Sequence, residues 1–147
     1  MTLQASGAIS MSQINTELGT NRNHLDDSWI RLLAAKPSGI IKFSDLYSKT
    51  GHFTGNILMS AVPASVSGIS GQPWFNDTFT ELLKNGVNQA ELRFNSGPSW
   101  TSTIFVINNS TGASTTLAAQ NSVSWVGTNT ANLLRASQND NFTIRPI

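Results

Sequence analysis

A chain of 147 residues has the length of one domain or of two very small ones, enough to bury a core without metal or disulfide help. Only 12% of it is charged, against roughly 25% in an average globular protein, and Ser, Thr, Asn and Gln together supply 55 residues, a neutral surface that desolvates more readily against a partner than one of Lys and Glu. A net charge of +1 without any Lys/Arg cluster speaks against nucleic acid, the lack of cysteine excludes disulfides and thiolate chemistry, and no apolar run approaches the ~18 residues of a membrane span.

From the N-terminus, Met1 to Ser12 lacks the basic stretch and long apolar core of a signal peptide, so a soluble chain made in a cytoplasm is expected. The next feature is an internal duplication. Residues 6–19 read SGAISMSQINTELG and residues 38–51 read SGIIKFSDLYSKTG. Ser6/Ser38, Gly7/Gly39, Ile9/Ile41, Ser12/Ser44 and Gly19/Gly51 are identical pairs, and Met11/Phe43 and Ile14/Leu46 are apolar in both copies. Each copy predicts a glycine turn, a short extended stretch (Ala8–Met11, Ile40–Phe43), an N-cap at Ser12 or Ser44 and a short helix closed by Gly19 or Gly51.

Between the copies, Leu25, Trp29, Leu32 and Leu33 fall on one helical face. Asp26 and Asp27 suit its first turn, and Pro37 stops it. Residues 1–52 are therefore expected to form a small helical unit with the two short strands paired, leaning on the rest of the chain or on a partner.

From Phe53 onward helical spacing gives way to short apolar stretches bounded by Gly, Asn and Ser. Strands are expected at Asn56–Ala61, Gln89–Phe94, Thr103–Asn108, Thr115–Ala118, Ser122–Val126 and Phe142–Pro146, with Ala131–Ala136 a weaker candidate. Ala90, Leu92 and Phe94 share a face, as do Ile104, Val106 and Asn108, and Asn108 to Gly112 signals a hairpin. Phe79 to Gly86 reads as a short helix in preference to a strand, because Phe79, Leu82 and Leu83 have helical spacing. The fold class expected is α+β: the helical unit at 1–52, then an all-β antiparallel sandwich at 53–147.

Residues that carry chemistry are sparse. His24 and His52 stand alone in loops flanking helices, Asp26 and Asp27 are explained by the helix start, and Gly68-Ile69-Ser70-Gly71 is not a nucleophile elbow. No catalytic, cofactor-binding or metal residue is expected, and the chain reads as no enzyme. The aromatic residues offer the alternative. Trp29, Phe43, Tyr47, Trp74, Phe75 and Trp100 are candidates for an interface, with Trp74, Trp100 or Tyr47 as platforms for a sugar or receptor. Against this, Trp29 also suits the helical core, and Trp74 and Trp125 also suit the ends of a sandwich core.

The duplicated segments resemble a pattern at the N-termini of tailed-bacteriophage virion proteins. There a first copy like SGxISMSxINxELG is followed by a helix and a second copy like PSGxISMSDFYGKS. The intervening NRNHLDDSWIRLLAAKPSG corresponds to that helix and its Pro-Ser-Gly turn. The second copy departs from the pattern, with Lys42 and Phe43 in place of Ser and Met and with Leu46 in place of Phe. The resemblance spans residues 1–52, about a third of the chain. It implies a structural component of the virion, tail-associated, acting by docking and assembly with other virion proteins and as a homo-oligomer in the particle. It names no catalytic residue and no cofactor. Head decoration is the nearest variant of this reading, and a carbohydrate- or receptor-binding module is the alternative from another class. Neither nucleic acid nor membrane insertion is implied.

Overall fold

Ser10, not Ser12, opens the first helix. In the computed structural model, which describes residues 2–61, 67–86 and 88–147, its hydroxyl accepts from the Gln13 amide while Gln13 Oε1 accepts from the Ser10 amide at 2.8 Å. This reciprocal capping box starts α1 (Met11–Leu18). Gly19, at φ 63°, ends it in the left-handed region, as expected. Asp27 caps α2 (Ser28–Ala34) by accepting from the Trp29 amide at 2.9 Å. The second copy of the duplication makes a single 3-10 turn, Phe43–Leu46. It keeps the same start: Asp45, the counterpart of Gln13, accepts from the Lys42 amide at 2.8 Å. The chain reverses into positive φ at Ser48, ahead of the expected stop at Gly51.

The paired strands expected inside residues 1–52 do not form. Ile40 to Lys42 and Ala8 to Ser10 are irregular, and the copies are joined by the Tyr47 hydroxyl donating to the Gly7 carbonyl at 2.6 Å. The Ser48 amide also donates to the Gln4 carbonyl and the Leu3 amide to the Lys49 carbonyl.

The rest of the chain is one sheet. Strands β1 (Phe53–Leu58), β2 (Pro73–Trp74), β3 (Asp77–Asn85), β4 (Gln89–Phe94), β5 (Ile104–Asn108), β6 (Ser114–Ala119), β7 (Ser124–Thr128) and β8 (Asn139–Pro146) run in the order β1-β8-β5-β6-β7-β4-β3-β2. Every pair is antiparallel. The fold is mostly β, and the sheet curls until it nearly closes into a barrel, which replaces the expected two-sheet sandwich. A short 3-10 turn, Ser67–Ile69, stands in the gap between β1 and β3, and the rings of Phe53 and Phe79 meet across it at 6.0 Å. Met1, residues 62–66 and Val87 lie outside the described residues, including the start of the expected docking unit.

Two further expectations are corrected. Phe79 to Gly86 is strand and turn, not helix. Phe79 pairs with Phe94 but Glu81 pairs with Arg93, so Thr80 is an extra residue. That bulge puts Phe79 and Leu82, three positions apart, on one inward face and imitates helical spacing. Ala131 to Ala136 is a turn, not a strand. Asn132 has φ 64°, Leu133 plugs the barrel, and the Leu133 carbonyl accepts from Asn108 Nδ2 at 2.9 Å.

Inward alternation otherwise follows the sequence: Ala90, Leu92 and Phe94 are buried, and so are Ile104, Val106 and Asn108. The buried Asn108 is matched by a buried acid, Asp140. The Arg135 guanidinium, hydrogen-bonded to Asp140, holds its carboxyl below the usual carboxylate range, and Asn108 Nδ2 adds a bond at 2.8 Å.

Where β7 crosses close to β6, Gly127 leaves no room for a side chain. A Cβ there would stand 2.2 Å from the Thr116 carbonyl oxygen, a backbone atom that cannot swing away. Gly127→Ala is expected to destabilise the chain by about 1–3 kcal/mol or more, read as a lower midpoint in urea with unchanged slope.

Candidate functional site

Residues 2–52 are not a separate body. Ile14, Leu18, Ile30, Leu33 and Leu46 belong to the same hydrophobic cluster as Trp74, Trp100, Trp125 and Phe142. The boundary near residue 52 marks a change of secondary structure and leaves the core continuous. Polar groups reinforce the junction. Helix α2 ends on the left-handed Ala35, whose amide donates to the Leu32 carbonyl at 3.1 Å, and the barrel adds further donors to its last carbonyls. Asn76 Nδ2 reaches the Leu33 carbonyl at 3.0 Å, and the Ser99 hydroxyl reaches the Leu32 carbonyl at 2.5 Å. Asn76 sits at φ 67°, a conformation asparagine tolerates better than most residues, and Lys49 donates to its Oδ1.

A second tie is a buried acid. Glu17 on α1 is fully buried and its Oε1 accepts from the Gly51 amide at 2.8 Å and the His52 amide at 3.1 Å. Its Oε2 has no hydrogen-bond partner among the described residues. Burial pushes the carboxyl up, against the two amide bonds that favour the charged form. His52 is held below its ordinary value, chiefly by its own burial.

The aromatic candidates separate clearly. Trp74, Phe75 and Trp100 lie inside the core, so their expected role as surface anchors is corrected. Trp74 packs on Phe75, Phe79 and Phe94, while Trp100 packs between Trp29 and Phe75. Each sits beside a turn, and turn residues are often exposed; here the turns fold over the barrel end. Trp29 is half-buried. Its ring meets Trp100 edge-on at 4.8 Å, and the Arg22 guanidinium lies 4.3 Å from its centre. Tyr47 is half-buried with its hydroxyl engaged by Gly7. Of the six, only Phe43 is exposed, at 38%.

Phe43 has a neighbour that sequence reasoning passed over. Ile40 is 78% exposed, the largest exposure of any big apolar side chain among the described residues. The duplication makes the contrast informative. In the first copy Met11 packs against the core, whereas its counterpart Phe43 is exposed, and the second copy adds the exposed Ile40 where the first has the small Ala8. The signal was present in the sequence, since Ile40 stands where the first copy has Ala8. For Glu17, Asn76 and Ser99 no such signal exists; a Glu in a polar helix and Asn or Ser beside turns are ordinary.

Among the described residues no group of three or more His, Asp or Glu is placed to hold a metal ion, and no helix is long and apolar enough to cross a membrane. Comparison of the chain with protein-family models, curated proteins and solved structures gave no match. The candidate site is thus the outer edge of the second copy, Ile40 to Phe43, mounted on a unit that the barrel holds in place.

Proposed function

We propose that the chain is a structural component of a tailed-bacteriophage virion, tail-associated, which docks to neighbouring virion proteins through residues 1–52. The observation that carries this reading is the duplicated motif at residues 6–19 and 38–51, whose order and spacing resemble those of virion proteins. Two features support it. The unit presents Ile40 and Phe43 to solvent with the exposed Lys42 between them in sequence, apolar side chains beside a polar one, as docking surfaces have. It is also fixed to the barrel through a common core, so a docked unit would hold the barrel in a set orientation.

Mass spectrometry of purified particles tests the role directly, and absence of the chain from them overturns it. The double substitution Ile40→Ser, Phe43→Ser tests the surface. Ile40 is largely exposed and Phe43 partly so, so folding stability is expected to fall by no more than about 1–2 kcal/mol, while incorporation into particles falls sharply. Normal incorporation of the double variant would move docking away from the second copy.

A further inference from the structure

The outer surface of β1, β8 and β5 differs from the rest of the barrel exterior. Strands alternate, so Thr54 and Asn56 on β1, Asn141, Thr143 and Arg145 on β8, and Phe105 and Ile107 on β5 all point outward. Register sets them in rows. Asn56 lies opposite Asn141, Thr54 opposite Thr143, Thr143 opposite Ile107, and Arg145 opposite Phe105.

The polar members are already bonded to one another. Asn141 Nδ2 donates to Asn56 Oδ1 at 2.9 Å, and Asn109 Nδ2, from the β5–β6 turn, reaches Asn141 Oδ1 at 2.7 Å and Thr143 Oγ1 at 3.0 Å. Thr54 Oγ1 lies 3.1 Å from Thr143 Oγ1. These side chains are held in place before any ligand arrives, which lowers the entropy lost on binding. Beyond these bonds Asn56 and Asn141 each keep a spare amide hydrogen or carbonyl lone pair for a ligand. Beside this ladder stand Phe105 and Ile107, both half-exposed, with the Arg145 guanidinium 4.9 Å from the Phe105 ring centre, and Leu58 lies exposed at the far end of β1.

We infer that this face binds a saccharide. Its chemistry selects the occupant. A sugar offers C–H surfaces to an aromatic and an aliphatic side chain and hydroxyls to a rigid row of amides and threonines. The three strands carry no outward Asp or Glu and one guanidinium, which favours a neutral or acidic sugar over a cationic ligand. With its neighbour β6 the face spans about 14 Å across the strands, the footprint of a di- or trisaccharide. The hydroxyls of a saccharide can replace the water on the amides and threonines of the ladder, which the apolar centre of a protein interface cannot. By contrast, the outer surface of β3 and β4 carries the ion pairs of Arg93 with Glu81 and Glu91 and no aromatic residue. The inference does not depend on incorporation into a particle.

The test applies the full chain to an array of neutral, uronic-acid-containing and sialylated oligosaccharides, followed by titration of the retained sugar with backbone amide NMR. Retention is expected, with shifts centred on β8 and β5. Phe105→Ala and Asn141→Ala are each expected to weaken binding by about tenfold, and Glu81→Gln to leave it unchanged. Ile107→Thr serves in place of Phe105→Ala should that variant not fold. No retained sugar, or retention that survives both substitutions, overturns the inference. So does a concentration-dependent dimer abolished by Phe105→Ala, which would give the face to a second copy of the chain.

Discussion

Trp100→Ala is expected to destabilise the folded chain by about 3–5 kcal/mol, the range for removing a large aromatic side chain from a core that cannot collapse around the space. The site meets that condition. Trp100 is 1% exposed, its ring is wedged between Trp29 at 4.8 Å and Phe75 at 5.2 Å, and its indole N–H donates to the Thr103 carbonyl. Trp29→Ala is expected to cost less, about 1–3 kcal/mol, because that ring is half-buried and water already solvates one side of it. Since the two rings touch, their effects will not add; a double-mutant cycle should give a coupling of roughly 0.5–1.5 kcal/mol. Urea unfolding of the two single variants and the double variant measures all three quantities. A Trp29→Ala effect as large as that of Trp100→Ala would mean that α2 is more deeply built into the core than its exposure implies. A negligible Trp100→Ala effect would mean that the barrel end is plastic.

Local chemistry was readable wherever it decides structure by itself. The stop of α1 at Gly19 falls where it was expected, because a C-terminal Gly acts through neighbouring backbone alone, while its start lies two residues early, at Ser10, whose Gln three residues on forms a local capping box that the choice of Ser12 overlooked. The Asn108 to Gly112 hairpin and the inward alternation of β4 and β5 follow for the same reason. Errors arose where a distant strand sets the outcome. The Thr80 bulge gives β3 a helix-like spacing that only its pairing with β4 resolves. Short strands separated by turns serve a sandwich and a barrel equally well, and the choice rests on which edges meet.

The candidate surfaces were legible in part. Aromatic residues beside turns carry no sign of whether the turn folds outward or inward, which is why Trp74, Phe75 and Trp100 read as surface candidates and are core. Phe105 and Ile107 were legible in principle. In Ile104-Phe105-Val106-Ile107 every position is large and apolar, so a strand with Ile104 and Val106 inside must leave the other two outside. Burial of an acid such as Glu17 is the least legible feature, since its cause is the packing of α1 on the start of β1, some 34 residues away in sequence.

Glu17 also gives the sharpest test of how the N-terminal unit is attached. Glu17→Ala removes the acceptor for the Gly51 and His52 amides, and leaving buried donors unpaired is expected to cost about 2–4 kcal/mol. Glu17→Gln keeps the acceptor and removes only the charge, so it isolates the proton. Because burial raises the folded-state value above that of the unfolded chain, Glu17 contributes stability that is fully present below the usual carboxylate value of 4.5 and is lost as pH rises through the folded value. The Gln variant lacks this dependence. Relative to wild type it is therefore expected to gain stability as pH rises from 4.5 toward neutrality, and then to level off. Asp45, Glu91 and Asp140 act in the opposite sense, since their folded values are lowered and their contributions fade in acid. They are common to both proteins and cancel in the difference. Unfolding free energies of the two proteins measured from pH 4 to 8 decide the matter. A difference that stays flat, or that grows toward acid, would mean that Glu17 is held as a stabilised carboxylate, and that its unpaired Oε2 carries no penalty.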